Sequence, residues 1–313
     1  METIIAIVFV IIMIIIDNDK HIFINFIENI RKMFKSNNIE HFKNKIYPLP
    51  KINKCEKKVW IFNKIEFSSR KWVNFGSRYT KQDTNILTKL CIESAFLNLK
   101  DNYDIFVINE NNLDYLIPEY IQDIKKCNDP YIYMNLIKYC ILFKFGGLWL
   151  NNDTIILNKL YISNVYRKNL IIFSTNKDAK TYDDSIIMTN PNNNLIYKML
   201  LFIKKDINSF QNSNSYSNSI NKQFNKLLLS NSDVIYMPYV LNKYNDKYIT
   251  MSNITDLYKG NIKELNKYVF FKIDIEKIEK SKVNNYLLNM TRIDLLESNM
   301  FISKLFFYSF NKT

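Results

Sequence analysis

Only four glycines occur in the 313 residues, and two of them, Gly146 and Gly147, stand side by side. They separate two periodicities. Before them, Tyr131 to Phe145 repeats at helical spacing, with Leu136, Cys140 and Phe143 on one side. After them, Leu148-Trp149-Leu150 is a short apolar run of the buried-strand kind. Glycine stops a helix and tolerates backbone angles that other residues avoid. The chain must therefore turn at once from helix to strand, which delivers the far end of that strand to a fixed place.

The surrounding sequence repeats the alternation. Val59 to Phe62 reads as a strand and Asn85 to Leu99 as a helix, through Ile86, Leu90, Ile92 and Phe96. Tyr103 to Ile108 is a second strand, with Asn109 to Asn112 as its exit loop. Thr154 to Ile156 is apolar again. Strand, helix, strand, helix, strand argues for an α/β sheet. Further on, Leu170 to Phe173, Ser185 to Met188, Val234 to Tyr239 and Tyr268 to Ile275 read as strands. Leu195 to Ile207 reads as a helix, Asn208 to Ser219 as an Asn/Ser-rich loop, and Leu287 to Phe310 as a terminal amphipathic helical region.

Composition removes several chemistries. The only histidines, His21 and His41, precede the folded body, so no Ser-His-Asp triad, Cys-His dyad or HExxH zinc helix can form after them. Carboxylates, amides, hydroxyls, Lys and Arg are what remains. The net charge is +13 and the isoelectric point about 9.3. Such a chain suits phosphates on nucleic acids, lipid headgroups or sugar nucleotides. Its wealth of Ile, Asn, Lys and Tyr is also what an A/T-rich genome encodes. A nucleic-acid partner is not expected, because no zinc site, recognition motif or basic helix supports one. Cys55, Cys91, Cys127 and Cys140 show neither C-x-x-C nor zinc spacing. Cys91 and Cys140 read as core thiols.

Ile4 to Ile16 is an unbroken apolar run. As a helix it spans roughly 20 Å, which snorkelling flanks can extend toward the ~30 Å hydrocarbon core. Glu2 lies before it and Asp17-Asn18-Asp19 after it, unlike the basic start and small-residue cleavage site of a signal peptide. Residues 1–20 are therefore expected to be an uncleaved single-pass membrane anchor. Residues 21–54 form a basic stem, and residues 55–313 the α/β domain, with a helical region from about 285. Lys20, Arg31, Lys32 and Lys35 all follow the run, and by the positive-inside rule this favours a cytoplasmic body.

The segment 134–156, MNLIKYCILFKFGGLWLNNDTII, carries the candidate chemistry. Asn151 and Asp153 follow the strand two residues apart, so an extended chain would point both to one side. In open α/β sheets ligands bind beyond the carboxyl ends of strands.

These residues resemble the DXD-type glycosyltransferases of the capsular-polysaccharide and initiating-mannosyltransferase kind, which have a GT-A fold. The family pattern is Ser-Asp-x-x-Arg on a helix, then Gly-Gly, an aromatic residue, and Asp-x-Asp at a strand end. Here Asn135 and Lys138 stand at the Asp and Arg positions, Gly146 and Gly147 match, and Trp149 is the aromatic residue. Asn151-Asn152-Asp153 stands at Asp-x-Asp. Asp183-Asp184-Ser185, followed by Thr189-Asn190-Pro191, resembles the stretch in which an acceptor-side carboxylate precedes a proline turn. WVNFGSR (72–78) and YDIFVINENNLDYLIPEY (103–120) resemble uncharacterised membrane-anchored proteins of large DNA viruses. The likeness spans roughly residues 60 to 205.

The resemblance implies a GT-A-like, Rossmann-like domain with a mainly parallel sheet behind a transmembrane helix. It implies transfer of a sugar from a nucleotide-sugar donor to a glycan or lipid-linked acceptor, in a host-cell or virion membrane if the chain is viral. Asn135, Lys138, Gly146, Gly147, Trp149 and Asn151 would line the donor site. Asp153 and Asn151 would hold Mn²⁺ or Mg²⁺, and Asp183 or Asp184 would act on the acceptor. The motif keeps one carboxylate where the family has two. The alternative expectation is thus an inactive membrane-anchored module that binds glycans or proteins on the same fold.

Overall fold

The computed structural model describes residues 57–64, 67–68, 80–81, 85–127, 129–160, 170–173, 185–206, 222–241, 243–244, 247–250, 254–256 and 262–311. All belong to the unit Cys55–Thr313. The apolar run 4–16, the stem, the segment 72–78, the Asp183-Asp184 pair and the loop 208–219 lie outside the described residues. Among the described residues no helix is long and apolar enough to cross a membrane.

The main sheet has six strands: β1 (Lys58–Phe62), β2 (Asp104–Ile108), β3 (Gly147–Asn151), β5 (Leu170–Phe173), β6 (Ile186–Thr189) and β7 (Val234–Met237), in the order β2-β1-β3-β6-β5-β7. β1 lies parallel to β2 and β3, and β5 parallel to β7. β6 is antiparallel to both its neighbours. All strands but β6 therefore run one way, in accord with the expected mainly parallel α/β sheet. β4 (Thr154–Ile156) and β8 (Phe270–Lys272) form a separate antiparallel pair.

Two long helices sandwich the sheet. α1 (Ile86–Leu99) starts where Asn85 Oδ1 accepts the Thr88 N–H at 2.9 Å. Its Ala95 and Leu99 pack with Val59, Ile61, Leu148 and Leu150 on one face. The other long helix is α4 (Pro130–Phe145), which follows the short helices α2 (Glu110–Leu116) and α3 (Ile121–Lys125). α4 begins at Asp129, whose Oδ1 takes the Ile132 N–H at 2.9 Å, with Pro130 in its first turn. It covers the opposite face, where Tyr133 meets Phe62 edge-on and Phe145 meets Trp60. Across that face Phe106, Trp60, Trp149, Ile187, Ile172 and Tyr236 stand in direct register, one from each strand.

β4 has a ladder partner on one edge only. Side chains bond its other edge: the Ile156 N–H donates to Ser94 Oγ at 2.9 Å, and Asn98 Nδ2 and Ser309 Oγ donate to Ile156 O at 3.1 and 2.7 Å. α5 (Asn194–Asp206) lies against α4, where Tyr197 meets Phe143. A second core joins α1, β4 and β8 to the C-terminal elements α6 (Ile275–Lys280), α7 (Arg292–Glu297) and α8 (Phe301–Phe310). It includes Cys91, Ile155, Phe271, Ile278, Leu295 and Phe306. Arg292 forks onto both carboxylate oxygens of Glu93 and so ties α7 to α1.

Several boundaries differ from the sequence reading. Asn109 to Asn112 is no exit loop. Asn109 caps α2, and Asn112 Oδ1 takes the Asn109 N–H at 3.0 Å, so the asparagines start a helix. The apolar stretch 268–275 yields only β8 as strand, since Asp274 caps α6 immediately after it. The terminal helical region is broken into a short 3₁₀ turn (Asn285–Asn289), α7 and α8.

Candidate active site at the end of β3

The glycine pair positions β3. Gly146 takes φ +62° and Gly147 φ +100°, the left-handed side that glycine tolerates. A Cβ on Gly147 would lie 2.6 Å from Lys58 O, and one on Gly146 2.6 Å from Pro191 Cδ. The chain can thus lie against β1 and the Asn190-Pro191 turn only without side chains here. Trp60 Nε1 donates to Gly146 O at 2.8 Å, inside the core. Both glycines are at the start of β3 and Asn151 at its end, so the pair aims the strand and does not line the strand's far end.

The place where β3 ends follows from the connections. β1 leads through α1 on one face to β2, its neighbour on one side. β2 then leads through α4 on the other face to β3, the neighbour of β1 on its other side. The strand order reverses between β1 and β3, and a crevice opens outside the carboxyl ends of adjacent strands at such a point. Phe62 and Asn151 are paired there in register.

Asn151 is held from two directions. Its N–H donates to Ser185 O at 3.0 Å, and its Oδ1 accepts the Trp149 Nε1–H at 3.0 Å. Trp149 itself is fully buried, so its action at the site runs through Asn151. Asn152 and Asp153 form a turn, which ends the two-residue alternation of the strand. Asp153 is half-buried, and its carbonyl accepts the Ile273 N–H at 2.8 Å. Burial first, and the negative charge of Asp153 second, push the Cys91 thiol well above its ordinary range. The Asn151 side chain turns to Trp149 on the α4 side of the sheet.

Asn135 and Lys138 both lie on α4, and both are buried, at 1% and 3% exposure. Lys138 Nζ is 5.3 Å from the Tyr139 ring centroid. Asn135 Oδ1 is buried, and among the described residues none donates to it. α4 is covered on nearly all sides, by the sheet, by α5 and by the helix over 222–229, where Phe224 meets Tyr139 edge-on. Ser185 O bonds Asn151, so the residue that follows Asp183-Asp184 touches the end of β3. Sequence reasoning missed Phe62 and Tyr133, which meet at the carboxyl end of β1. Burial, then the charges of Glu110 and Cys127, push the Tyr133 phenol up to about 12. No periodicity marks this pair, because it joins a strand to a helix 71 positions further on.

Among the described residues no group of three or more His, Cys, Asp or Glu side chains could hold a metal ion. Mg²⁺ commonly takes one or two carboxylates and completes its shell with water and substrate phosphate. Asp153 supplies one carboxylate. Asn151 Oδ1 has a second lone pair beyond the one used by Trp149.

No family model matches the chain. No curated protein matches it. Among solved structures, the PaToxG glycosyltransferase is similar at 14% identity over 55% of this chain and 68% of that one, with a TM-score of 0.35. A transferase with two cysteines replaced by serine is similar at 12% identity over 57% and 88%, with a TM-score of 0.32. A glycosyltransferase involved in the glycosylation of the major capsid of PBCV-1 is similar at 11% identity over 69% and 92%, with a TM-score of 0.35.

Proposed function

We propose that this chain is a membrane-anchored GT-A-like glycosyltransferase, moving a sugar from a nucleotide diphosphate donor to a glycan or lipid-linked acceptor. The observation that carries the reading is the Asn151–Asp153 turn at the strand-order reversal between β1 and β3. The sequence pattern around Gly146-Gly147 supports it independently.

In this reading the diphosphate lies across the ends of β1 and β3. Held by Asp153 and Asn151, Mn²⁺ or Mg²⁺ would supply charge neutralisation for the diphosphate. Trp149 fixes the Asn151 amide, so the side chain needs no reorganisation on binding. Asn135 offers a buried acceptor to the donor, and Lys138 a cation toward phosphate. Asp183 or Asp184 would orient the acceptor from the segment that enters β6. The run Ile4 to Ile16 would hold the protein in a membrane.

The test is donor hydrolysis by the full chain, with a panel of UDP- and GDP-sugars and Mn²⁺. Release of free sugar from one donor, lost in Asp153→Asn, is the expected result. No turnover and no nucleotide binding would instead favour the inactive binding module, the reading that a single motif carboxylate supports.

A further inference from the structure

Three buried polar atoms on the α4 side of the sheet have no hydrogen-bond partner among the described residues: Asn135 Oδ1, Gln223 Oε1 and the Tyr236 hydroxyl. Buried polar groups are normally paired, and each exception calls for a cause. Asn135 is 1% exposed. Gln223 and Tyr236 are half-buried residues whose polar ends lie out of reach of solvent.

Their placement follows from the chain path. α4 runs away from the carboxyl ends of the strands: Tyr133 meets Phe62 at the end of β1, and Phe145 leads through Gly146 into the start of β3. The helix over 222–229 runs the same way, because the turn after it leads into the start of β7. The two helices meet where the Tyr139 and Phe224 rings lie 5.7 Å apart between centroids. Asn135 stands one helical turn before Tyr139, and Gln223 one residue before Phe224. Both are thus on the carboxyl-end side of that contact. Tyr236 is the next-to-last residue of β7, in the row that faces α4. All three lie toward the end of the sheet at which Asn151 closes β3, spread from α4 across to β7.

Two carboxamides and a phenol are what these positions offer. Burial raises the Tyr236 phenol above its ordinary range, so it stays an O–H. A hydroxyl both donates and accepts through a rotating O–H, so a ring that carries several of them can satisfy carboxamides and a phenol together. We propose that Gln223 and Tyr236, together with Asn135, take the hydroxyls of the sugar being transferred and so select which sugar the donor carries. The proposal rests on the transferase reading above and adds to it the residues that read the sugar, apart from those at the diphosphate.

The experiment is calorimetry of the full chain with Mn²⁺ and matched ligands: UDP beside UDP-glucose, UDP-galactose and UDP-N-acetylglucosamine, and GDP beside GDP-mannose. Gln223→Met and Tyr236→Phe keep most of each side chain's bulk and remove its polar end. The sugar nucleotide that wild type binds best should lose about tenfold in affinity in each variant. The matching nucleoside diphosphate should change by less than about twofold, which also reports that the variant is folded. A merely structural role would weaken both ligands alike. Should one variant not fold, the other decides. Equal losses for the two ligands, or no loss for the sugar nucleotide, would overturn the proposal. So would a wild type that binds a nucleoside diphosphate but no sugar nucleotide. Absence of all nucleotide binding would instead strike the transferase reading, and this assignment with it.

Discussion

The indole N–H of Trp60 donates to the carbonyl of Gly146 at 2.8 Å, joining the middle of β1 to the turn that launches β3. The bond is buried, and the Trp60 ring stacks on Phe106 at 4.7 Å between centroids. Trp60→Phe keeps most of the ring packing but leaves the Gly146 carbonyl without this donor. A buried acceptor left so costs about 1–3 kcal/mol. Gly147→Ala should cost more, at least about 3 kcal/mol, from strain at φ +100° and collision with Lys58 O. Urea unfolding measures both. Equal stability of Gly147→Ala and wild type would mean that the turn is not built as described.

A second prediction concerns acid. Burial pushes the Asp274 carboxyl up, but hydrogen bonds from the Lys277 side chain and backbone, with the charges of Lys277 and Lys272, outweigh it and leave the group below its ordinary 3.8. A lowered carboxyl adds stability that is fully present above its unfolded value and is lost as pH falls through its folded value. Asp274 also caps α6, taking the Lys277 N–H at 3.0 Å. Asp274→Ala should therefore cost about 1 kcal/mol at pH 7. Asp274→Asn should keep the cap and reduce the loss of stability on going below pH 3.8. Unfolding midpoints at neutral and acid pH compare the two. An Asn variant with the full acid dependence of wild type would refute the assignment.

The cysteines give a third. Cys91 and Cys140 are buried, and burial holds both thiols above their ordinary range. Cys127 is half-buried, and burial followed by the charge of Asp129 raises its thiol to about 11. The thiolate is the reactive form. Iodoacetamide at pH 8 should label Cys127 slowly in the folded protein, and Cys91 and Cys140 only after unfolding. Mass spectrometry of labelled peptides reads this directly. Fast native labelling of Cys91 would contradict the packing of α1 on β4.

Much of the first half was legible because each element there has a period and a stop. Val59 to Phe62, the α1 helix and the α4–Gly146-Gly147–β3 unit fall where apolar spacing and the glycines put them. Asn109 to Asn112 misled because asparagine is both a loop residue and a helix cap, and only the Asn109–Asn112 hydrogen bonds distinguish the two. The site was legible as a segment but not as a geometry. A period of two relates Asn151 to Asp153 only within a strand, and the chain leaves the strand at Asn152, so periodicity does not fix the geometry of the pair. The burial of Lys138 depends on α5 and the helix over 222–229, which cover α4 from far along the chain. The row from Phe106 to Tyr236 depends on strand pairing over long separations, which no local pattern encodes.

The central claim is that Asp153 and Asn151 hold a cation and a nucleotide diphosphate at the end of β3. Its most direct test is calorimetry of UDP and GDP with the full chain, with and without Mn²⁺, in wild type, Asp153→Asn and Asn151→Asp. The account predicts Mn²⁺-dependent binding in wild type, weakened by at least about 2 kcal/mol in Asp153→Asn, the scale of a lost charged hydrogen-bonding group. Asn151→Asp, which restores a second carboxylate, should bind Mn²⁺ more tightly. Binding by wild type that is unchanged in Asp153→Asn would contradict the ligand assignment. No nucleotide binding by wild type, with none gained in Asn151→Asp, would contradict the site itself.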